Sequence, residues 1–267
     1  MGVWSKKESM QMQALQHTQE MQDKYSKEIV SSAIQSVHYK EPLDFELIHT
    51  TIKPFVGIAD LDTVSAALAE WNSTDAHICI LNFASYKNPG GKFLEGSSAQ
   101  EECLCHESNL YNILEMRDKD YYLPHRGKGQ SNNALYYNEA LYTPNAIFEK
   151  NGIKFECDVL TCAAPNYAAA RKYFGVTARE NAEVLRSRIE FIWKIMELNN
   201  VQTAILGAFG CGVFGQDPNL VAQYMNDIFK QSSISTIVYA VPRGLNEQNY
   251  QAFERRIEQT DLTVAAN

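Results

Sequence analysis

The sequence predicts an α/β fold, a layered sheet covered by helices, and two observations carry that reading. Apolar runs of strand length alternate with amphipathic segments of helix length along most of the 267 residues. One run, Ala76 to Phe83, is apolar almost without interruption, as a strand covered on both faces should be. Hydrophobic content of 45% and aromatic content of 11% supply one large core. No internal repeat or low-complexity linker divides the chain. It reads as one domain, residues 41–267, with an N-terminal helical extension over residues 1–40.

In chain order, Glu8 to Val37 is rich in Gln, Met, Glu and Lys, with Met10, Leu15, Met21, Ile29 and Ile34 at rough helical intervals. This predicts helices packed outside the main domain. Short β-like runs follow at Phe45–Ile48 and Val56–Ile58, and Asp62-Thr63 starts a helix through Val64 to Trp71. Ser98-x-x-Glu101 reads as a capping box opening a helix to about Met116, with Ala99, Cys103, Leu110 and Leu114 on one face. Asp118 to Gln130, with Pro124, Gly127 and Gly129, reads as a loop. Leu135–Tyr137, Ala146–Phe148 and Glu156–Ala163 read as strands. Thr177-x-x-Glu180 caps a second long helix, with Ala182, Leu185, Ile189, Ile192 and Met196 in a 3-4-3-4 pattern. Ala204–Phe209 is a strand, Asp217-Pro218 opens another helix, and Thr236–Val241 is the last strand.

A net charge of −8 and a pI near 5.3 argue against a basic groove for nucleic acid. The six cysteines are scattered and show no CxxC or CxxC…HxxxH spacing, so no metal is expected. They read as core thiols of a reducing compartment, placing the protein inside the cell, in the cytoplasm or in a nucleus. No apolar run reaches membrane-spanning length, and the polar N-terminus lacks a signal-peptide pattern. Gly2 does not make a myristoylation site, because Lys6 stands where Ser or Thr is needed.

The chemistry concentrates in one stretch. An apolar strand ends at Asn82, and Asn88-Pro89-Gly90-Gly91-Lys92 follows as a loop. Gln100-Glu101-Glu102 then falls at a predicted helix start. Glycines let backbone N–H groups approach a ligand closely, and a helix N-terminus favours anions. Two carboxylates beside such a phosphate cradle point to chemistry on a phosphorylated sugar. A second glycine loop, Gly210-Cys211-Gly212-Val213-Phe214-Gly215, matches G-x-G-x-x-G between a strand and a helix. A dinucleotide fold is disfavoured, because only one further strand follows and it ends in Pro242-Arg243 with no acidic residue for a ribose. A loop closing over a diphosphate opposite Gly90-Gly91 fits better.

These stretches resemble the bacterial-type poly(ADP-ribose) glycohydrolases, a macrodomain family. The resemblance rests on Asn82-Phe83-Ala84-Ser85 with Asn88-Pro89-Gly90-Gly91, on Ala99 to Glu102, on Ser108 to Tyr111, on Leu160 to Asn166, and on Gly207 to Phe214, in the family's order. It implies a macrodomain-like three-layer arrangement, a mixed sheet between helices, with an ADP-ribose cleft at the strand ends. It also implies that Glu102 is the acid/base and that Glu101 binds ribose hydroxyls. Gly90 and Gly91 would sit against the diphosphate, with Asn82 and Asn88 holding the ribose and the first loop. Gly210, Cys211, Gly212, Val213 and Phe214 would cover the phosphates, Phe214 lying against the distal ribose, and Ala84, Lys92 and Gln100 would complete the contacts.

The implied activity is exo-acting hydrolysis of ribose–ribose bonds in poly(ADP-ribose), releasing ADP-ribose, by a monomer without a cofactor. An acidic protein suits end-trimming, since backbone amides can grip one terminal unit. The alternatives are hydrolysis of mono-ADP-ribosyl or O-acetyl-ADP-ribose substrates, and a non-catalytic ADP-ribose-binding module. Lys92 replaces the family's third glycine, which either turns outward or adds a cation near the diphosphate. It keeps the mono-ADP-ribosyl alternative open.

Several residues have structural readings. Glu101 is explained by its capping box, whereas Glu102 is not. Adjacent helical positions point about 100° apart, so the two carboxylates take different roles. Phe209 reads as core and Phe214 as a ligand-stacking ring. His106 and His125 read as a helix-surface and a loop residue. Tyr121 and Tyr122 stand where they could reach substrate, and Asp60 or Asp62 where an acidic residue could meet adenine.

Overall fold

The structure is a computed structural model describing residues 5–46, 53–127, 129–244 and 247–265, with side chains described to residue 258. Among the described residues, seven strands form one sheet: β1 (Val37–Lys40), β2 (Phe55–Ala59), β3 (Ile78–Phe83), β4 (Glu139–Lys150), β5 (Ile153–Cys162), β6 (Thr203–Leu206) and β7 (Thr236–Ala240). Their spatial order is β1-β4-β5-β3-β6-β7-β2. The β1/β4 and β4/β5 pairs are antiparallel, and β5, β3, β6, β7 and β2 run parallel.

The period of two along β3 makes the three layers. Cys79 and Leu81 enter one core with Leu185, Ile189, Ile192, Val221 and Phe253. Ile78 and Ile80 enter the other with Ile29, Val64, Leu68, Leu110 and Leu114. The first core is closed by α7 (Ala178–Leu198), α8 (Pro218–Phe229) and α9 (Glu247–Ala265). The second is closed by α1 (Lys6–Gln35), α2 (Thr63–Ser73), α3 (Gln100–His106) and α4 (Leu110–Met116). Two further helices are α5 (Leu123–His125) and α6 (Tyr167–Phe174). No described helix is long and apolar enough to cross a membrane.

Helix starts read from cap chemistry hold where the side chain is free to cap. Asp62 accepts from the Ser65 N–H, and Thr177 and Glu180 form the expected capping box. The Ser98 box does not form. Ala99, whose methyl side chain has no acceptor, is the N-cap of α3, and the Glu101 carboxylate is drawn instead to the loop after β3. The helix expected to reach Met116 is broken at Glu107–Asn109. There Asn109 exchanges hydrogen bonds with Ile147 of β4, its N–H to the Ile147 carbonyl and its Oδ1 from the Ile147 N–H. Cys103 and Ala99 are exposed, and Leu104 and Cys105 are buried in their place.

The extension is one long helix bent at Tyr25, followed by β1, which joins the sheet and so makes residues 37–40 strand. Met21 and Ile29 are buried, but Ile34 is 76% exposed, and Ala14, Ser32 and Ala33 take up the contacts. Small side chains let the helix lie close against its neighbours. The expected strand at Phe45–Ile48 lies partly outside the described residues, and Phe45 and Glu46 are not in a strand. Leu135–Tyr137 follows a 3₁₀ turn at Asn132–Ala134 and is not a strand either. Asp118–Tyr122, read as loop, is one π-helical turn with Tyr121 and Tyr122 fully buried.

Candidate active site

Adjacent parallel strands β3 and β6 place their following loops side by side. Ala84 to Lys92 leaves the C-terminal end of β3, and Gly207 to Gln216 leaves that of β6. In open α/β sheets this is the edge where ligands bind. The β3 loop is held by its own backbone: the Gly91 N–H donates to the Asn88 carbonyl and the Phe93 N–H to the Gly90 carbonyl. Ser85 Oγ accepts from the Lys87 and Asn88 N–H groups.

Gly91 explains the loop's sequence. Its φ is +60°, and a Cβ there would lie 2.7 Å from Glu102 Oε1 and 2.8 Å from Glu101 Oε2. Both carboxylates converge on the space a side chain would fill. Gly90, at φ +63°, is packed on Tyr111, whose ring would sit 2.8 Å from an added Cβ.

The two acids are both buried but differently held. Glu101 Oε2 accepts from the Ser85 N–H at 2.7 Å, and Oε1 from Asn82 Nδ2 at 3.3 Å. Burial pushes the Glu101 carboxyl up to about 8; the neighbouring Glu102 adds to the rise, and the Ser85 and Asn82 hydrogen bonds oppose it. Glu102 Oε1 accepts from the Lys92 N–H at 2.9 Å, while its buried Oε2 has no protein partner. Burial thus favours the protonated form of Glu101, and one oxygen of Glu102 is left for another molecule. Asn82 Oδ1 is likewise buried without a partner.

The other expected site residues divide by what occupies them. Gln100 is fully engaged: Oε1 accepts from the Phe83 N–H, and Nε2 donates to the Leu81 carbonyl and to Thr63. With its amide saturated, it is a staple from α3 to β3 rather than an open ligand contact. Ala84 is buried, its N–H on the Cys162 carbonyl. Asn88 is exposed and supports the turn through its backbone. Lys92 contributes its N–H to Glu102, while its side chain, 67% exposed, reaches Glu95 at 3.9 Å. Its φ of −112° needs no glycine.

In the β6 loop, Gly210 at φ +75° packs so closely that a Cβ would lie 2.7 Å from Ala164. Cys211 is half-buried, and burial pushes its thiol up to about 12. Gly212 faces open space and Val213 is 87% exposed. Phe214 is half-buried against the core and edge-on to Tyr136, so it is partly anchored. Phe209 is fully buried, as expected of a core residue.

Tyr121 and Tyr122 are fully buried; the Tyr122 hydroxyl has no protein partner and lies near enough to Glu101 for that carboxylate to add to the rise in its pKa. Asp62 is occupied as the α2 cap and by Lys150, while Asp60 accepts from the Arg243 N–H. His125, read as a loop residue, is buried and stacks on Tyr86. His38, His125 and Glu139 come together from three elements, their ligating atoms within 4.8 Å of one another, a grouping invisible in their spacing of 87 and 14 residues. Glu139 Oε2 already takes hydrogen bonds from both histidines and the Lys40 ammonium, which stands where a cation would compete. Sequence reasoning also passed over Ser85 and Thr161, which hold Glu101 and Asn82. Their signal was their place at the ends of β3 and β5.

Solved structures of poly(ADP-ribose) glycohydrolases share this fold. The enzyme from Thermomonospora curvata is 24% identical with a TM-score of 0.82, covering 93% of this chain and 99% of that one. The same enzyme bound to the inhibitor ADP-HPD gives 24% and 0.80 over the same shares. The enzyme from Deinococcus radiodurans in complex with ADP-ribose is 25% identical with a TM-score of 0.77, covering 87% of this chain and 98% of that one. No curated protein matches the chain. The family described as microbial-type PARG, catalytic domain, matches residues 6–151, from the start of α1 through both glutamates to the end of β4. With the match spanning more than half of the chain, the protein belongs to the microbial-type PARG catalytic-domain family.

Proposed function

We propose that the protein is an exo-acting poly(ADP-ribose) glycohydrolase with Glu102 as general acid and base. One observation carries this reading: Glu102 is fixed through Oε1 by the Lys92 N–H, while its buried Oε2 has no protein partner. Cleaving the ribose–ribose O-glycosidic bond develops oxocarbenium character at the distal anomeric carbon. Glu102 protonates the departing ribose oxygen, and the substrate diphosphate offsets the positive charge. Glu102, now ionised, then takes a proton from the attacking water. A sugar is a poor leaving group, so the acid's help matters most.

Glu101 and Asn82 are proposed to hold the ribose hydroxyls, with Asn82 Oδ1 open to a donor. Gly90, Gly91 and Gly210 to Phe214 would approach the diphosphate from two sides. Ala84 and Asn88 shape the first loop, and Asp60 is the candidate for adenine. The outward Lys92 side chain leaves the polymer reading without the objection its sequence raised. Residues 41–267 are taken as the catalytic domain, with residues 1–40 contributing β1 to its sheet. Action inside the cell, as a monomer, completes the reading. Incubating the protein with poly(ADP-ribose), mono-ADP-ribosylated protein and O-acetyl-ADP-ribose, and identifying the products, tests it. ADP-ribose released from the polymer is expected; release only from the other two, or from none, overturns it.

A further inference from the structure

The segment after α4 grips the glutamate-holding loop from outside the cleft. His125 Nδ1 lies 3.0 Å from the Tyr86 carbonyl oxygen, and Arg126 Nε donates to the Lys87 carbonyl at 2.9 Å. Two consecutive residues thus bond two consecutive carbonyls of the loop. A carbonyl oxygen only accepts, so Nδ1 carries the hydrogen. From behind, His125 Nε2 meets Glu139 Oε2 at 3.1 Å, and the same oxygen takes His38 Nε2 at 2.9 Å and Lys40 Nζ at 3.2 Å. Burial alone would raise the Glu139 carboxyl, but hydrogen bonds from His125, His38 and Lys40 hold it well below the usual carboxylate range. Tyr121 packs edge-on against both histidines.

The contact continues into the site on two routes. Ser85, next to Tyr86, gives its N–H to Glu101 at 2.7 Å. The Tyr86 ring, stacked on His125 at 4.0 Å, stacks on Tyr136 at 4.3 Å, and Tyr136 meets Phe214 of the second glycine loop edge-on at 6.1 Å. His125 therefore contacts the backbone that sets Glu101 and the ring series that spaces the two loops.

We propose that His125, braced by Glu139 and His38, is a positioning residue for the hydrolysis. It holds Ser85 to Asn88 in the conformation that presents the Ser85 N–H to Glu101 and sets the gap between the two glycine loops. This rests on the glycohydrolase reading for its catalytic consequence and on geometry alone for its structural one. A misplaced acid pair slows the chemical step more than it weakens binding, since binding draws on many contacts and the chemistry on one alignment.

Three variants test it. His125→Phe keeps the ring stack and removes both ring nitrogens. His125→Asn restores a donor near the Nδ1 position. Glu139→Gln keeps an acceptor oxygen and removes the charge. For His125→Phe, kcat on poly(ADP-ribose) should fall about tenfold or more while the Kd for ADP-ribose moves less than about threefold. Amide exchange at Ser85, Lys87 and Asn88 should speed at least about tenfold, and His125→Asn should recover most of both. Glu139→Gln should fall between, and it is the variant read if His125→Phe does not fold. Unchanged kcat with unchanged exchange overturns the proposal, as does an Asn variant no better than Phe. If the wild type cleaves no ADP-ribose substrate, the glycohydrolase reading fails on its own. The exchange arm then decides this proposal by itself, unchanged protection at Ser85 to Asn88 refuting it.

Discussion

At the scale of single residues, the site is governed by what each side chain leaves unoccupied. Glu102→Gln should preserve the Lys92 N–H contact, because the amide oxygen still accepts, and should remove the transferable proton. Polymer turnover is expected to drop by about a hundredfold or more with ADP-ribose binding retained, as measured by product release and calorimetry. Turnover within about threefold of wild type would remove Glu102 from the chemistry. Gly91→Ala meets both carboxylates and an unfavourable φ together. It should cost at least about 1–2 kcal/mol from the backbone alone, read by chemical denaturation, and abolish turnover by displacing the acids. Lys92→Gly is the contrasting case. With its ammonium in solvent beside Glu95, the substitution should leave both the affinity for ADP-ribose and its salt dependence unchanged. A loss of affinity at low salt that vanishes at high salt would place the ammonium on the diphosphate after all.

At the scale of elements, the decisive link is the attachment of α3 to β3. The helix is too short to stand by itself, with seven residues, and Gln100 ties it to β3 through two hydrogen bonds and to Thr63 of α2 through a third. Gln100→Ala should cost about 1–3 kcal/mol, leaving the Phe83 N–H and Leu81 carbonyl unpaired. It should also lower turnover by loosening the glutamates, visible as faster exchange across residues 100–106. The same element shows where pattern reading stops. Ser98-x-x-Glu101 has the letters of a capping box, but the Ser85 N–H is a competing donor supplied by a loop distant in sequence, and it wins the carboxylate. The long helices suffer no such competition, and their caps at Asp62 and Thr177 were readable.

At the scale of the whole molecule, the buried acid pair makes stability depend on pH. The Glu101 carboxyl rises from 4.5 to about 8 on folding, so between those values the folded state binds more protons than the unfolded one. Stability attributable to this group therefore falls as pH rises through that window and levels off above about 8. Glu101→Gln removes the titration and should gain on wild type steadily from pH 5 to 8. Urea unfolding at several pH values checks this, and a constant difference between the two proteins would contradict it. The variant should nonetheless turn over more slowly, since a site that stabilises the fold less can serve the chemistry more.

The layered α/β fold, the order of most strands and helices, the two glycine loops and the glutamate pair were legible in the chain. Each rests on local physics: a period of two or 3.6, a cap, or a glycine where only glycine fits. The edge strand β1, the break between α3 and α4, the buried π-helical turn and the gathering of His38, His125 and Glu139 were not legible. Each depends on partners tens to a hundred residues away, and no local pattern records them. The two carboxylates divide along the same line. Their presence and spacing lay in the sequence. Which of them is fully hydrogen-bonded by the protein and which keeps a free oxygen was settled only when the ends of β3 and α3 met around Gly91, because burial and competing donors exist only in the folded chain.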